Sequence, residues 1–279
     1  MRCAWNDLLK IVPQSIRQDV DRLGRDTLQE LRLRLGMAPE MVTSKGPVWL
    51  SGIVTESDIS FVVNTASRYS PWAAATAAKG YITAQGGHRI GICGETVTSG
   101  GSITGIRSPT SLCIRVARDF PGIAAGAAGL RGNTLILGPP GSGKTTLLRD
   151  LIRQISDSGI GSVAVVDERG ELFPSGFSTG KRTDILSGCT KVQGVQITLR
   201  TMGPAWIAVD EITARDDCEA LTEAGWCGVR LLATAHASDR ADLNRRPVYR
   251  PLLDFGLFEN LIILHPDKSW RTERMVVCP

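Results

Sequence analysis

Gly138-Pro-Pro-Gly-Ser-Gly-Lys-Thr145 fits the pattern G-x-x-x-x-G-K-[ST], placed directly after a short apolar run and directly before a leucine-rich segment. Chemistry of that kind is phosphate binding. Gly138, Gly141 and Gly143 let backbone N–H groups close around phosphate oxygens, with Ser142 part of the same loop, and the positive end of a following helix adds to the attraction. Lys144 is expected to reach the β- and γ-phosphates. Thr145 is expected to offer its hydroxyl to Mg²⁺, which prefers hard oxygen ligands, with Thr146 standing behind it. The plain alternative is a Gly/Pro-rich strand-to-helix turn carrying an exposed lysine; the flanking strand and helix weigh against it.

Carboxylates occur where such a loop needs them. Trp206-Ile-Ala-Val-Asp210-Glu211 is an apolar run ending in two acids, which brings them to the carboxyl end of a sheet, where open α/β sheets bind ligands. Asp210 would hold Mg²⁺ through water and Glu211 would polarise an attacking water; the alternative is a solvated strand end. Val163-Ala-Val-Val-Asp167-Glu168-Arg169-Gly-Glu171 repeats the pattern, so Glu168 rivals Glu211 as the water activator, unless Glu168 and Glu171 form a surface turn paired to Arg169. His236 follows Ala233-Thr-Ala and is either a contact to the γ-phosphate or a structural histidine. Arg200, in Thr198-Leu-Arg-Thr-Met202, is either a stabiliser of developing phosphate charge or a solvated helix residue.

Those residues need strands to carry them and helices to cover the strands. From residue 133 the reading is strand 134–137, phosphate loop, helix 145–156, strand 163–166, a long middle segment, strand 206–209, helix 216–224 and strand 229–233. Alternation of that kind implies a mostly parallel, covered α/β sheet, and with the phosphate loop the expected fold class is α/β with a RecA-like P-loop nucleotide triphosphatase core. Upstream, residues 5–22 read as helix interrupted at Pro13, 30–35 as a half-buried strand with Arg32 and Arg34 facing outward, and 48–50 as a strand. A helix capped by Ser57 spans 57–67, a short helix 71–78, and strands 81–84 and 88–93. Residues 122–132, rich in Gly and Ala, are expected to join a smaller N-terminal α/β domain (1–121) to the nucleotide domain (133–279).

Composition narrows the classes. A net charge of +4 in 279 residues, with dispersed arginines, leaves a nucleic-acid footprint open without indicating one. Seven cysteines without a C-x-x-C pair disfavour a disulfide framework and a zinc site. No run of about 18 apolar residues occurs, so a membrane contact is expected to be peripheral.

Beyond the phosphate loop, Glu30-Leu-Arg-Leu-Arg-Leu-Gly36, Gly80-Tyr-Ile-Thr-Ala-Gln-Gly-Gly-His-Arg-Ile-Gly91, Thr145-Thr-Leu-Leu-Arg-Asp150 and Val166-Asp-Glu-Arg-Gly-Glu-Leu172 resemble the stage III sporulation protein AA family of endospore-forming bacteria, relatives of the type II and IV secretion and pilus ATPases. The resemblance covers nearly the whole chain. It implies that Arg89 and Arg115 act in trans on a neighbouring subunit's nucleotide, and it raises Glu168 and His236 above their structural readings. It further implies ATP as the nucleotide, a homo-oligomeric ring, most simply a hexamer, and a cytoplasmic protein held at the membrane by the membrane proteins of a channel between mother cell and forespore. Two departures stand out: Val209-Asp-Glu-Ile replaces the Gly-Glu pattern usual in pilus motors, and the tail after Arg240 lacks a long helical region.

The expected protein is therefore an Mg²⁺-dependent ATPase that energises assembly of, or transport through, a secretion-like membrane channel. Its rivals are a nucleotide-dependent ring scaffold with little hydrolysis and a nucleic-acid motor, for which hydrolysis would be stimulated by DNA or RNA with steep salt dependence. No nucleic-acid partner is expected.

Overall fold

The computed structural model describes residues 2–67, 80–127, 129–174 and 176–275. The helix expected at 71–78 lies outside the described residues. The chain divides into two compact units, Met1–Asp119 with Pro174–Phe177, and Phe120–Phe173 with Ser178–Pro279.

In the first unit, α1 (Trp5–Ile11) and α2 (Arg17–Gly24) are separated at Pro13, which cannot continue a helix. Then come β1 (Leu28–Arg34), β2 (Glu40–Thr43), β3 (Gly46–Trp49), α3 (Glu56–Ser67), β4 (Tyr81–Thr83), β5 (Arg89–Ser99) and β6 (Ser102–Arg115). Among the described residues the sheet runs β3-β2-β1-β6-β5-β4, every neighbouring pair antiparallel. The alternation in β1 does what its period demands. Leu31 and Leu33 are fully buried, while Arg32 and Arg34 lie on the other face and pair with Glu30 at 2.7 Å and Glu40 at 2.6 Å. One cap differs from expectation. Thr55, not Ser57, closes the start of α3, its hydroxyl accepting from the Asp58 amide at 3.3 Å while Asp58 Oδ2 accepts from the Thr55 amide at 2.9 Å.

His88 lies buried in this unit. Its Nδ1 accepts from the Ala117 amide at 3.2 Å, which leaves Nε2–H to donate to the Ala4 carbonyl at 3.0 Å. Burial holds its pKa below the ordinary imidazole value. The neutral ring belongs to the folded state, so the contribution is complete above the unfolded value of about 6.5 and is lost as pH falls below it. Urea unfolding followed between pH 7.5 and 5.5 is expected to show the first unit weakening by up to about 1.4 kcal/mol per pH unit. A His88→Gln variant whose unfolding midpoint falls equally across that window would show that His88 is not the group responsible.

In the second unit the order is β7 (Thr134–Leu137), α4 (Lys144–Asp157), β8 (Val163–Asp167), β9 (Thr183–Ser187), α5 (Lys191–Thr201), β10 (Trp206–Ile212), α6 (Arg215–Trp226), β11 (Arg230–Ala235), α7 (Arg240–Arg245), α8 (Arg250–Asp254), β12 (Asn260–Leu264) and β13 (Trp270–Arg274). Its sheet runs β13-β12-β7-β11-β10-β8-β9 among the described residues. All neighbours are parallel except the β12–β13 pair. Helices cover both faces, so β7, β8 and β12 are buried along their whole length, as a parallel sheet requires. Leu135 and Leu137 point into one core, with Val209 and Leu221; Ile136 points into the other, with Leu147, Leu151 and Ile155 of α4. This is the mostly parallel, covered α/β sheet expected from the alternation of strands and helices.

The described residues of the Gly/Ala-rich stretch 122–132 belong to the second unit. Ala124 and Ala127 are buried, and the Gly122 and Ala124 amides donate to Asp150 at 3.0 and 2.8 Å. A Cβ on Gly126 would stand 2.9 Å from the Trp270 ring, so the small side chains serve close packing. Among the described residues, no helix is long and apolar enough to cross a membrane.

Candidate active site

β7 ends at Leu137 and the chain turns through the glycine loop into α4. Gly141 at φ +74° and Gly143 at φ +102° occupy the left-handed region that a side chain would strain. Gly138 is required differently: a Cβ there would fall 2.5 Å from Ser142 Oγ and 3.2 Å from Leu264 Cβ. Ser142 Oγ is buried and, among the described residues, makes no hydrogen bond, so the loop carries a polar atom that its own chain does not satisfy.

The ammonium of Lys144 folds back into the loop, donating to the carbonyls of Gly138 at 2.8 Å and Pro139 at 3.0 Å and to His236 Nδ1 at 3.2 Å. Its three N–H bonds are thereby used. Burial lowers its pKa from the ordinary lysine value, opposed by the negative charges of Asp210 and Glu211. Because Nδ1 of His236 accepts, its Nε2–H is the donor to Glu211 Oε1 at 3.1 Å. One imidazole thus links the loop lysine to a strand-end carboxylate.

β10 presents Asp210 and Glu211 beside the loop. Asp210 Oδ2 accepts from the Thr145 hydroxyl at 2.8 Å, and Oδ1 from the Thr234 hydroxyl at 2.6 Å. The Thr234 hydroxyl also accepts from the Glu211 amide at 2.7 Å. Pairing with β11 slips between Val209 and Ile212, and Glu211 adopts φ +54°, rare for a residue with a side chain. That bulge re-aims the Glu211 side chain, which takes Arg169 Nη1 at 3.1 Å on its other oxygen.

The second acidic cluster divides its labour. Asp167, at the end of β8, is buried and accepts from the amides of Glu171 and Leu172, both at 2.9 Å, and Phe173 at 3.3 Å, which folds the loop. Burial raises its pKa above the ordinary carboxyl value, against those amide bonds. Glu168 faces the cleft and pairs with Lys191 Nζ at 2.6 Å. Asp167, Glu168, Arg169, Glu171, Lys191, Asp210 and Glu211 line that cleft.

The structure therefore gathers Lys144, Thr145, Asp210, Glu211 and His236 into one bonded cluster, with Glu168 on the adjoining cleft. Thr146 is half-buried on α4 and forms none of these bonds. Arg200 is not part of the cluster. α5 enters the cleft with its first residue, Lys191, whereas Arg200 is exposed in its last turn, about 13 Å farther along the helix axis. In the first unit, Arg89 stacks on the Tyr81 ring at 3.9 Å and Arg115 lies 3.5 Å from Glu30. Sequence reasoning missed Lys191, Thr234 and Arg149. Arg149 is buried on α4 and bonds the carbonyls of Leu172 and, at 2.9 Å, Glu171, clamping the acidic loop. A charged pair inside a leucine-rich helix, Arg149-Asp150, was the available signal for the last of these.

The donor set fits a magnesium nucleotide: a glycine loop of amides with an unsatisfied buried hydroxyl, an ammonium, and a hydroxyl and carboxylate already in contact.

A family model described as "Sporulation stage III, protein AA" matches residues 4–275. Stage III sporulation protein AA of Bacillus subtilis is 33% identical over 284 residues, covering 95% of this chain and 92% of that protein. Among solved structures, the Legionella pneumophila ATPase DotB superposes with a TM-score of 0.60 at 15% identity, over 94% of this chain and 80% of DotB. The pilus retraction motor PilT with bound ADP gives 0.61 at 14% identity, over 89% of this chain and 76% of PilT. At such identities the likeness speaks to the fold alone, a RecA-like α/β fold shared with these two ATPases.

Proposed function

The chain belongs to the sporulation stage III protein AA family, and from that membership and the geometry of its phosphate loop we propose that it is an Mg²⁺-dependent ATP hydrolase. Its work is to energise assembly of, or transport through, a secretion-like membrane channel between mother cell and forespore. The observation that carries this reading is the 2.8 Å contact between Thr145 Oγ1 and Asp210 Oδ2, which pairs the hydroxyl at the loop with the carboxylate at the strand end. Both are hard oxygen donors, and together they would hold the metal. Bound there, Mg²⁺ supplies neutralisation of phosphate charge. Lys144 supports the β- and γ-phosphates, the loop amides orient them, and Glu211 or Glu168 accepts the proton of the attacking water.

In this reading the protein is cytoplasmic, assembles as a homo-oligomeric ring, most simply a hexamer, and meets the membrane through membrane proteins. Arg89 and Arg115 contact the nucleotide of a neighbouring copy.

One observation favours a second reading. Both candidate bases are engaged, Glu168 by Lys191 and Glu211 by Arg169 and His236, as suits a ring scaffold that binds ATP and turns it over slowly or not at all. Phosphate release from ATP, with and without Mg²⁺, separates the two. It is measured for wild type, Glu168→Gln and Glu211→Gln, with assembly followed by light scattering. The motor reading expects Mg²⁺-dependent release by the assembled wild type and its loss in one of the two glutamine variants, which identifies the base. An assembled wild type that binds ATP without releasing phosphate hands the site to the scaffold reading.

A further inference from the structure

Lys191 stands where elementary electrostatics disfavours it. It is the first residue of α5, at the positive end of the helix, and its side chain is only 7% exposed. Nothing in the helix start requires a lysine there. Thr190 and Gln193 form a complete capping box, the Thr190 hydroxyl accepting from the Gln193 amide at 3.3 Å and Gln193 Oε1 accepting from the Thr190 amide at 3.3 Å. A buried ion pair is itself weak support for stability, because desolvation offsets the attraction. The cation therefore needs another explanation, and its two neighbours supply one.

The first is Glu168, 2.6 Å away through Oε2, with a side chain 37% exposed at the cleft. Among the described residues this is the hydrogen bond Glu168 makes, so one carboxylate oxygen is held and Oε1 is left over. The second is Asp217, 3.7 Å away and already committed: its Oδ2 accepts from the amides of Thr213 and Ala214 at 3.0 and 3.1 Å and so fixes the turn that leaves β10 for α6. Lys191 is thus braced on a rigid corner just past Asp210 and Glu211, with its ammonium aimed at a partly exposed carboxylate on the same cleft.

We propose that Lys191 is the positioning residue for Glu168: it holds one carboxylate oxygen against the corner beyond β10 so that the other is offered to the water that attacks the terminal phosphate. The inference rests on the hydrolase reading above and assigns the base within it to Glu168.

The test is steady-state ATP turnover and nucleotide affinity of Lys191→Met, Lys191→Arg, Glu168→Gln and the Lys191→Met/Glu168→Gln double variant. Methionine keeps the unbranched stem, Asp217 retains its amide donors and Glu168 can turn to solvent, so Lys191→Met is expected to fold, as its affinity for ATP reports. If methionine nevertheless prevents folding, Lys191→Arg carries the test alone. Lys191→Met is expected to lower kcat about 100-fold, the cost of a small misplacement of a reacting group, with KM for ATP unchanged. Arginine should restore part of kcat, and in the Glu168→Gln background the methionine change should cost nothing further. An unaltered kcat in Lys191→Met, or equal losses with and without Glu168, overturns the role while leaving the hydrolase reading intact; with arginine alone, an unaltered kcat in that variant overturns it. A wild type without turnover overturns both, and does so before any variant is made.

Discussion

Replacing Lys144 with alanine is expected to lower the proposed phosphate release from ATP by about 100- to 1,000-fold, the usual cost of deleting one preorganised donor aimed at developing charge. The lysine is almost wholly buried, and its ammonium is held by the two loop carbonyls and by His236 before any ligand arrives. A charge at that depth is preorganised, and water replaces it poorly. Arginine is not expected to rescue, because a planar fork does not fit a seat built for a compact point charge between the Gly138 and Pro139 carbonyls. Phosphate release under saturating ATP checks this directly. Wild-type turnover in Lys144→Ala would mean that the loop does not grip the transferred phosphate at all.

Asp150→Ala has the second large effect, and on stability. The carboxylate is 1% exposed and accepts from the amides of Gly122 and Ala124, from Arg153 Nη1 at 2.8 Å and from Gln154 Nε2 at 2.7 Å. Alanine removes the carboxylate beside a buried guanidinium and strands two amides, for a loss of roughly 3–5 kcal/mol. The urea midpoint of the second unit should fall accordingly. A change under about 1 kcal/mol would assign Asp150 the weight of a surface ion pair, which its burial contradicts.

Much of this was legible in the sequence, and for identifiable reasons. The phosphate loop and the strand ending in Asp210-Glu211 announce themselves because their chemistry fixes residue types at fixed spacing and their strands are apolar on both faces. What stayed hidden lacked that contrast. β9 is an edge strand with mostly exposed side chains, and α5 mixes Gly194 with β-branched Val, Ile and Thr, so neither carries a clean period. β6 carries no strand signal in the sequence because it holds Gly105, Pro109 and several Ser and Thr, yet it pairs with β5 from Ser102 to Arg115. Arg200 drew attention as a charge near the carboxylates in sequence, whereas distance along a helix axis decides proximity in space. Lys191 is invisible to pattern: its importance comes from burial and from two carboxylates brought in from β8 and α6.

α4 invites a mechanical description. It is a rod of 14 residues, about 21 Å long, and five separate stretches of chain are bolted along it. The glycine loop is at one end, with Thr145 tied to Asp210; then Arg149 grips the acidic loop, Asp150 the 122–124 segment, Arg153 the Ser178 carbonyl, and Ser156 and Asp157 the amides of Arg182 and Lys181. Parts fastened to one rod share its few degrees of freedom. A push or tilt delivered at the phosphate end is therefore distributed to all of them at once, without a sensor at each.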